Sequence, residues 1–231
     1  MKTALITGGN KGIGFALAKA LGAANWQVVL GVRSETNGQK AVAELAADGI
    51  HASFVILDLS RPDTISEVGK TVVSDYPQLS LLINNAGIPG AMADSSLTVP
   101  EDNLRQTMEV NFFGTFQLTQ TLLPVLENNR GRIVNVTIPT VANPNWNPLA
   151  YKASKAAQNV MMDSFAIDLK KADKPMSIFS VHPGPTTTDL NGNMTMPGFH
   201  TADDVAGKIV AYIEDGADHN GQFIEIYPEL K

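Results

Sequence analysis

The chain has 231 residues, a formal net charge of −6 and no cysteine, and 44% of its residues are hydrophobic. The lack of cysteine excludes disulfide frameworks, thiolate nucleophiles and Cys-type zinc sites, and the acidic balance argues against non-specific binding to nucleic acid or to anionic membrane surfaces. This length and apolar content allow one continuous core, so a single domain over residues 1–231 is predicted. Neither a signal-peptide core nor an apolar stretch of about 18 residues occurs, and a soluble, cytoplasmic protein is therefore expected.

The first predicted unit is a strand, a glycine-rich turn and a helix. The apolar strand ends at Thr7, and an apolar run with helical spacing begins at Phe15. Glycines in such a turn let the backbone approach a pyrophosphate, and the N–H groups at the start of the helix attract that anion. Taken alone, the pattern also fits an ordinary tight turn. The candidate cofactor-binding residues of the turn are Gly8, Asn10, Lys11, Gly12, Ile13 and Gly14.

The second predicted strand, residues 27–32, completes a β-α-β unit and bears on the choice of dinucleotide. A site for NAD usually has an acidic side chain at the end of this strand, but Val32 stands here, followed by Arg33 and Ser34. A cation and a hydroxyl suit a 2′-phosphate, and Lys11 could supply a second cation. The sequence therefore favours NADP(H) over NAD(H), although Arg33 by itself also fits a solvated surface charge.

Helices and strands continue to alternate along the rest of the chain. The predicted helices are residues 35–48, 62–75, 101–128, 153–171 and 203–213, and the predicted strands are residues 52–57, 79–83, 132–136, 176–181 and 222–226. Because the strands are uniformly apolar, they fit a parallel sheet with helices on both faces. We therefore predict an α/β fold: a single-domain, doubly wound Rossmann fold with a seven-stranded, mostly parallel sheet.

Polar residues and two irregular loops follow the predicted strands, at the edge where open α/β sheets bind ligands. Asp58 and the segment 84–87 end two of the strands, and the amides of that segment could either cap a turn or line a cofactor. The loops, residues 139–148 and 185–200, are candidate substrate walls or lids. Their apolar side chains indicate an apolar pocket and no particular substrate.

Tyr151 and Lys155 form the candidate catalytic pair. Residues that lie four apart share one face of a helix, so the phenol and the ammonium can reach the same small volume. An ammonium about 4–5 Å away favours the phenolate and would lower the pKa of Tyr151 by about 2–3 before burial opposes it. Such a Tyr can exchange a proton with a carbonyl or an alcohol near neutral pH. By themselves, the two residues also fit an exposed pair on an ordinary helix.

Six motifs, in this order and at these spacings, resemble the short-chain dehydrogenase/reductase family over essentially the whole chain. They are the glycine-rich turn that begins at Thr7, then Asp58, the Asn-Asn-Ala-Gly segment 84–87, Asn111, Tyr151 with Lys155, and Pro183 with Gly184. The turn and the Val-Arg-Ser segment after the second strand are most similar to the NADPH-dependent carbonyl-reductase branch. The resemblance implies an oxidoreductase that transfers a hydride between NADP(H) and a ketone, an aldehyde or a secondary alcohol.

The resemblance also implies roles for individual residues. Tyr151 would be the general acid toward a carbonyl and the base in the reverse direction. Lys155 would lower the pKa of Tyr151 and hold the nicotinamide ribose, and Asn111 would anchor a water that links Lys155 to solvent. Further cofactor contacts would come from Asp58, Leu59, Asn85, Ala86, Gly87, Pro183, Gly184, Thr186 and Thr188. A homodimer or homotetramer is expected because members of the family usually form one, and no metal is expected.

One position departs from the family. Relatives have a Ser where this chain has Ile138, and its hydroxyl orients the substrate carbonyl and stabilises charge on the carbonyl oxygen. Thr137 should face away, because adjacent strand residues point to opposite faces, and Thr140 lies beyond the strand. Losing one such donor costs about 10²–10³ in rate. Three interpretations stay open: a slow enzyme, a competent reductase in which Thr137 or Thr140 supplies the hydroxyl, or an NADP(H)-binding sensor or scaffold without turnover.

Overall fold

The computed structural model describes residues 1–227, and residues 228–231 of the predicted domain lie outside this description. Its strands are β1 Thr3–Thr7, β2 Gln27–Val32, β3 Ala52–Ile56, β4 Leu79–Asn84, β5 Arg132–Val136, β6 Ser177–His182 and β7 Phe223–Glu225. They form one sheet in the order β3-β2-β1-β4-β5-β6-β7, in which every neighbouring pair is parallel. The predicted seven-stranded sheet is confirmed.

Helices cover both faces of the sheet, as predicted. They are α1 Gly12–Ala23, α2 Glu35–Ala47, α3 Pro62–Asp75, α4 Glu101–Met108, α5 Thr115–Asn128, α6 Leu149–Lys171 and α7 Ala202–Glu214. A π-helical turn, Glu109–Gly114, joins α4 to α5. In the described residues, none of the helices is both long and apolar enough to cross a membrane.

Two apolar layers, one on each face of the sheet, make up the core. Side chains alternate along each buried strand, so that Ile6 of β1 packs toward α1, α2 and α7, whereas Leu5 packs toward α3, α5 and α6. This burial of both faces explains why the strands read as nearly continuous apolar runs. Because both faces are covered, a ligand can reach the strands at their ends rather than on the faces of the sheet.

The strand order reverses between β1 and β4, which places a crevice at the carboxyl edge of the sheet. On one side of the sheet the chain proceeds outward from β1 through β2 to β3. On the other side it proceeds outward from β4 through β5 and β6 to β7. Because all the strands are parallel, the residues that follow each of them lie along this one edge. The edge therefore collects the glycine-rich turn, Asp58, residues 84–87 and the loops after β5 and β6.

Two helix predictions need correction. The helix predicted from residue 153 begins at Leu149, so Tyr151 lies within its first turn. The helix predicted over residues 101–128 contains the π-helical turn, whose extra residue changes the face that the helix presents to the core. The apolar spacing of this stretch predicts an inward face with Leu104, Met108, Phe112, Leu118, Leu122 and Leu126. The last three are buried as predicted, whereas the first three are only half-buried. In the first part of the stretch, Thr107, Asn111 and Thr115 are buried.

Candidate active site

A cavity of about 300 Å³ opens at the carboxyl edge, at the crevice between β1 and β4. The predicted site residues that line it are Gly8, Asn10, Lys11, Gly12, Ile13, Arg33, Asp58, Leu59, Asn85, Ala86, Gly87, Tyr151, Lys155 and Thr188. The sequence had not singled out several other wall residues, which are Gly31, Leu57, Ile88, Pro89, Val110 and Asp189. Most of these are apolar residues in or beside predicted elements, where the sequence pattern indicates burial and not contact with a cavity.

Thr7 fixes the glycine-rich turn against the end of β4. Its hydroxyl accepts hydrogen bonds from the N–H groups of Asn85 and Ala86, both at 2.9 Å, and Asn85 Nδ2 donates to the Thr7 carbonyl at 3.0 Å. Gly8 and Gly12 have φ angles of +65° and +55°, which residues with a Cβ rarely adopt. The turn thereby brings the first residues of α1 to the cavity wall, and this helix has no side-chain cap that would occupy its first N–H groups.

Gly14 does not line the cavity but holds the turn close to α1. A Cβ at this position would lie 2.4 Å from the Gly8 carbonyl oxygen and 2.5 Å from Asn85 Nδ2. We expect Gly14→Ala to lower the free energy of unfolding by about 1–3 kcal/mol, because backbone or neighbouring side chains must move, and to weaken binding of a dinucleotide at the same time. Thermal unfolding with and without NADPH measures both effects.

A matched control for this change is Gly207→Ala, in the exposed part of α7. A Cβ there has no atom within 4 Å, so helix propensity alone predicts a gain of about 1 kcal/mol or less. Equal melting temperatures for Gly14→Ala and the unchanged protein would show that the turn tolerates the extra methyl group.

Lys11 lies in the cavity wall, but its ammonium already has a carboxylate partner. Lys11 Nζ and the Asp189 carboxylate form an ion pair at 3.0 Å, and hydrogen bonds from Lys11 and Asn193, together with the charge of Lys11, hold the pKa of Asp189 below its ordinary value. That Lys11 could supply a second cation for a phosphate stays a prediction, and in this structure its partner is Asp189. The segment after β6 folds back over the glycine-rich turn, which no local pattern in the sequence indicates.

Arg33 and Asp58 face the cavity from the ends of β2 and β3. The Asp58 carboxylate accepts hydrogen bonds from the N–H group of Ser60 at 3.0 Å and from its hydroxyl at 2.7 Å. Burial opposes ionisation of Asp58, but these bonds and the charges of Arg33 and Arg61 hold its pKa below the ordinary value. Asp58 is therefore a carboxylate at neutral pH, and the guanidinium of Arg33 is an exposed cation beside it.

Tyr151 and Lys155 meet as predicted, but burial dominates the pKa of both. Lys155 Nζ lies 5.7 Å from the centroid of the Tyr151 ring and donates to the Val136 carbonyl at 2.8 Å and to Gln158 Oε1 at 3.0 Å. Burial raises the pKa of Tyr151 to about 12 and lowers that of Lys155 to about 8. The predicted lowering of the Tyr151 pKa by the ammonium is thus wrong for this structure, because Lys155 donates to neutral oxygens and the phenol is taken out of water.

Asn111 is completely buried and lies behind the cavity. Its side chain accepts from the Ile88 N–H at 2.8 Å and donates to the Ile88 carbonyl and to the Ser154 hydroxyl, both at 3.0 Å. Its backbone carbonyl accepts a hydrogen bond from Gln158 Nε2. The side chain of Asn111 thus fixes the cavity wall at Ile88, and the link between its carbonyl and Lys155 runs through Gln158. The water that Asn111 would anchor to link Lys155 to solvent, as the resemblance implies, stays a prediction.

The chain around Ile138 places no hydroxyl in the cavity wall. Thr137 continues β5 through its N–H, which donates to the Val181 carbonyl at 2.9 Å, and its side chain is buried. Thr140 is exposed, and neither Thr is among the residues that line the cavity. Ile138 is half-buried, and its carbonyl accepts from Asn159 Nδ2 at 3.0 Å. Thr137 thus lies outside the cavity wall, in keeping with the predicted orientation.

Four further predicted residues support the cavity from outside its wall. Ser34 caps α2 by accepting a hydrogen bond from the Asn37 N–H. Pro183, Gly184 and Thr186 begin the segment that returns Thr188 to the wall, with Gly184 at a φ of +74° and the Thr186 hydroxyl donating to the Gly184 carbonyl at 3.0 Å. These residues do not line the cavity, and their role as cofactor contacts stays a prediction.

The described residues also place an aromatic ring beside Tyr151. The ring of Trp146, in the loop after β5, packs edge-on against Tyr151 with centroids 6.0 Å apart. On the cavity side, Ile88, Pro89 and Leu190 are apolar. The sequence had indicated an apolar pocket from Trp146 and Leu190, and the structure brings both near the same region of the fold.

Comparison with known proteins identifies relatives of the whole fold. A family model described as short chain dehydrogenase matches residues 2–197. Human 17-beta-hydroxysteroid dehydrogenase type 2 is 33% identical over 193 residues, which cover 83% of this chain and 49% of that protein. Mouse carbonyl reductase [NADPH] 1 is 40% identical over 135 residues, which cover 58% of this chain and 48% of that protein. The chain thus spans about half the length of these two mammalian relatives.

A solved structure gives the same result at nearly full length. A short chain dehydrogenase from Burkholderia cenocepacia J2315, determined in complex with NADP, has 30% sequence identity, a TM-score of 0.84 and coverage of 97% of this chain and 95% of that chain. The family model covers the turn, the Asn-rich strand end and the Tyr-Lys pair that line the cavity. The predicted resemblance is therefore confirmed, and the chain belongs to the short-chain dehydrogenase family of NAD(P)-dependent oxidoreductases.

Proposed function

We propose that this protein is an NADP(H)-dependent oxidoreductase that reduces an apolar ketone or aldehyde, or oxidises the corresponding alcohol, with Tyr151 as general acid and base. The observation that carries the proposal is the buried Tyr151–Lys155 pair at one end of a cavity whose other end is the glycine-rich turn. NADPH oxidation with a panel of ketones and aldehydes tests it, with Tyr151→Phe as the variant that must lose the rate.

The cavity suits a dinucleotide because of its backbone. Gly8 approaches the end of β4 so closely that a Cβ on it would lie 3.2 Å from Ala86 Cα, and the uncapped start of α1 presents N–H groups to an anion. Gly8, Gly12 and Ile13 would hold the pyrophosphate, and Asp58 with Leu59 would hold the adenine. Asn85 to Gly87 and Lys155 would hold the riboses, as in relatives with this motif.

The residues at the other end can carry out the proton transfer. A bound NADPH supplies a hydride to a carbonyl carbon. With a pKa of about 12, Tyr151 holds its proton at neutral pH and can donate it to the carbonyl oxygen, which yields the alcohol. Lys155, charged below its pKa of about 8, stabilises the negative charge left on the phenol until solvent returns a proton through the open side of the cavity.

Ile138 supports a second candidate function. Because Thr137 and Thr140 do not reach the cavity wall, Tyr151 alone is left to orient the substrate. We therefore expect a rate about 10²–10³ below that of a site with a second hydrogen-bond donor. In the extreme case the protein binds NADP(H) as a sensor or scaffold and turns nothing over. The carbonyl panel separates these functions, since a binding protein gives no rate that depends on Tyr151.

Arg33 underlies the proposed preference for NADPH. It is an exposed cation at the end of β2, where Val32 replaces an acidic residue, and Lys11 is paired with Asp189. We expect NADPH to bind at least about tenfold more tightly than NADH, and Arg33→Ala to remove most of that difference by weakening NADPH alone. Fluorescence titration of both cofactors gives the dissociation constants.

The control for this titration is Arg61→Ala. Arg61 is also exposed and also acts on Asp58, but it forms an ion pair with Asp63 and does not line the cavity. It should leave both dissociation constants unchanged. Equal affinities of the unchanged protein for NADPH and NADH would contradict the proposed preference.

We also propose a homodimer or homotetramer, as in the family. Apolar side chains are exposed on the π-helical turn and on α6, at Phe113, Val160 and Ile167. Burial of such side chains against a second copy would remove them from water. Light scattering coupled to size-exclusion chromatography measures the mass of the particle, and a monomer at micromolar concentration would contradict this assembly.

A further inference from the structure

We propose that Gln158 is a positioning residue for Lys155: its side-chain amide ties the buried ammonium to the Asn111 carbonyl and sets the orientation and the proton affinity of the ammonium. This inference rests on the proposed function, because it concerns the lysine of the same site. Gln158 itself does not line the cavity, and the motifs that indicated the site do not include it.

The two ends of the Gln158 amide have different partners. Its Oε1 accepts a hydrogen bond from Lys155 Nζ at 3.0 Å, whereas its Nε2 donates to the Asn111 carbonyl and, at 3.4 Å, to the Thr115 hydroxyl. Because an amide has a distinct donor end and acceptor end, these partners determine which way it points. A Leu or a Met of similar size could fill the space but could not bridge the two groups.

Because the site is buried, water cannot easily replace the bridge that the Gln158 amide forms between Lys155 and the Asn111 carbonyl. Gln158 has no exposed surface and Lys155 is only 2% exposed, so water cannot substitute for a lost partner at low cost. The Lys155 ammonium has three N–H donors, of which one binds the Val136 carbonyl and one binds Gln158. The third donor is then left on the side of the cavity, where Lys155 forms part of the wall. The bridge thus fixes the direction of the one donor that can reach a ligand.

The Asn111 carbonyl that Gln158 contacts belongs to the π-helical turn. Such turns displace the regular backbone bonds of a helix and are frequent at functional sites. Here the turn runs from Glu109 to Gly114, and Gly114 lets the chain approach Leu59 so closely that a Cβ would lie 2.0 Å from its carbonyl oxygen. The turn and Gln158 together place a backbone oxygen, an amide and an ammonium in one buried row.

Among the described residues, the Lys155 ammonium hydrogen bonds to two neutral oxygens, the Val136 carbonyl on β5 and the side-chain amide of Gln158 on the same helix. Gln158 in turn contacts the Asn111 carbonyl on the π-helical turn and the Thr115 hydroxyl on α5. The ring of Tyr151, on the same helix, lies near the ammonium, and the cavity beyond carries Lys11, Arg33, Asp58 and Asp189. No carboxylate hydrogen bonds to Lys155 among the described residues, so burial lowers its pKa and Gln158 limits that lowering.

The test measures the pKa of Lys155 directly, by NMR titration of the whole protein labelled with [13Cε]lysine. Lys155→Met assigns the signal. We expect a pKa near 8 in the unchanged protein, about one unit lower in Gln158→Leu because an acceptor to the ammonium is lost, and at least one unit higher in Gln158→Glu because a carboxylate replaces that acceptor. The opposite shifts of these two variants cannot come from general loosening of the fold.

Thr119→Val is the matched control. Thr119 is a fully buried side chain on α5 that accepts a hydrogen bond from Asn84 at 3.1 Å and does not contact Lys155. This change should lower stability without moving the pKa of Lys155. If Gln158→Leu also leaves that pKa unchanged, Gln158 only fills space and the inference is overturned. The titration requires no turnover, so an absence of carbonyl reduction would refute the proposed function and leave this test intact.

Discussion

Tyr151→Phe is expected to reduce the rate of NADPH-dependent carbonyl reduction by about 10²–10⁴-fold while leaving the dissociation constant of NADPH nearly unchanged. The phenol is the proton donor in the proposed reaction, and its pKa of about 12 keeps it protonated throughout the neutral range. The phenyl ring preserves the edge-on contact with Trp146, so the wall of the cavity is kept and only the acid is removed. Steady-state rates with the best substrate of the carbonyl panel, together with fluorescence titration of NADPH, measure the two quantities.

Tyr76→Phe is the control for the loss of a phenol. The Tyr76 hydroxyl bonds Ser53 at 2.8 Å, away from the residues that line the cavity. Its removal should leave the rate of carbonyl reduction intact. A rate that is equal in Tyr151→Phe and the unchanged protein would mean that another group donates the proton, and no rate in either would favour the binding-only function.

We expect the rate of carbonyl reduction to fall as the pH rises through about 8, because Lys155 loses its proton there. Its charged form stabilises the phenolate, and burial lowers its pKa to about 8, so the ammonium is present below that pH and is lost above it. Tyr151 remains protonated until about pH 12, so its ionisation does not contribute to the fall in rate near pH 8. The value of kcat/KM for the carbonyl should therefore be level below about pH 7 and fall about tenfold per pH unit well above 8.

Lys155→Met tests this assignment, because it removes the charge at every pH. We expect a rate about 10²–10³ lower than that of the unchanged protein at pH 7 and no decline near pH 8. Lys152→Met, which removes a half-buried lysine bonded to the Val141 carbonyl, serves as the control and should keep both the rate and the decline. A decline near pH 8 that persists in Lys155→Met would place the titrating group elsewhere.

The raised pKa of Tyr151 also determines which of its protonation states is abundant near neutral pH. The phenol keeps its proton there, although it is a weaker acid than an exposed phenol, and its ionised form is a correspondingly stronger base. Reduction of a carbonyl needs the donor form, which is the abundant one. Alcohol oxidation needs the phenolate, so the rate of oxidation should be highest at a pH above the one at which the rate of reduction is highest.

The architecture and the kind of site could be predicted from the sequence because their signals are local. Uniformly apolar strands alternating with amphipathic segments indicate a parallel sheet between helices, and the sheet is fully parallel. The glycine-rich turn and the spacing of Tyr151 and Lys155 depend on backbone freedom and helix periodicity, which a few consecutive residues decide. Both ends of the cavity therefore had a sequence signal, and the topology of the sheet brings them to one edge.

Other features of the site depend on contacts between distant segments and carried no such signal. The pairing of Lys11 with Asp189 follows from the return of the chain after β6, and in the stretch that contains the π-helical turn Thr115 is buried whereas Phe112 is only half-buried. The direction in which a pKa shifts also depends on contacts between distant segments. It depends on how much water the fold removes from Tyr151, which helix spacing does not reveal.

The sequence by itself determined the sheet and singled out the glycine-rich turn, the Tyr151–Lys155 pair and the position of Ile138, since each is written in residues close together or in a fixed order. Only the tertiary structure decided that burial outweighs the nearby charge at Tyr151, and that Gln158 joins Lys155 to the Asn111 carbonyl. The physical reason is that desolvation and buried hydrogen bonds depend on everything packed around a group, and packing brings together residues that lie far apart in the chain.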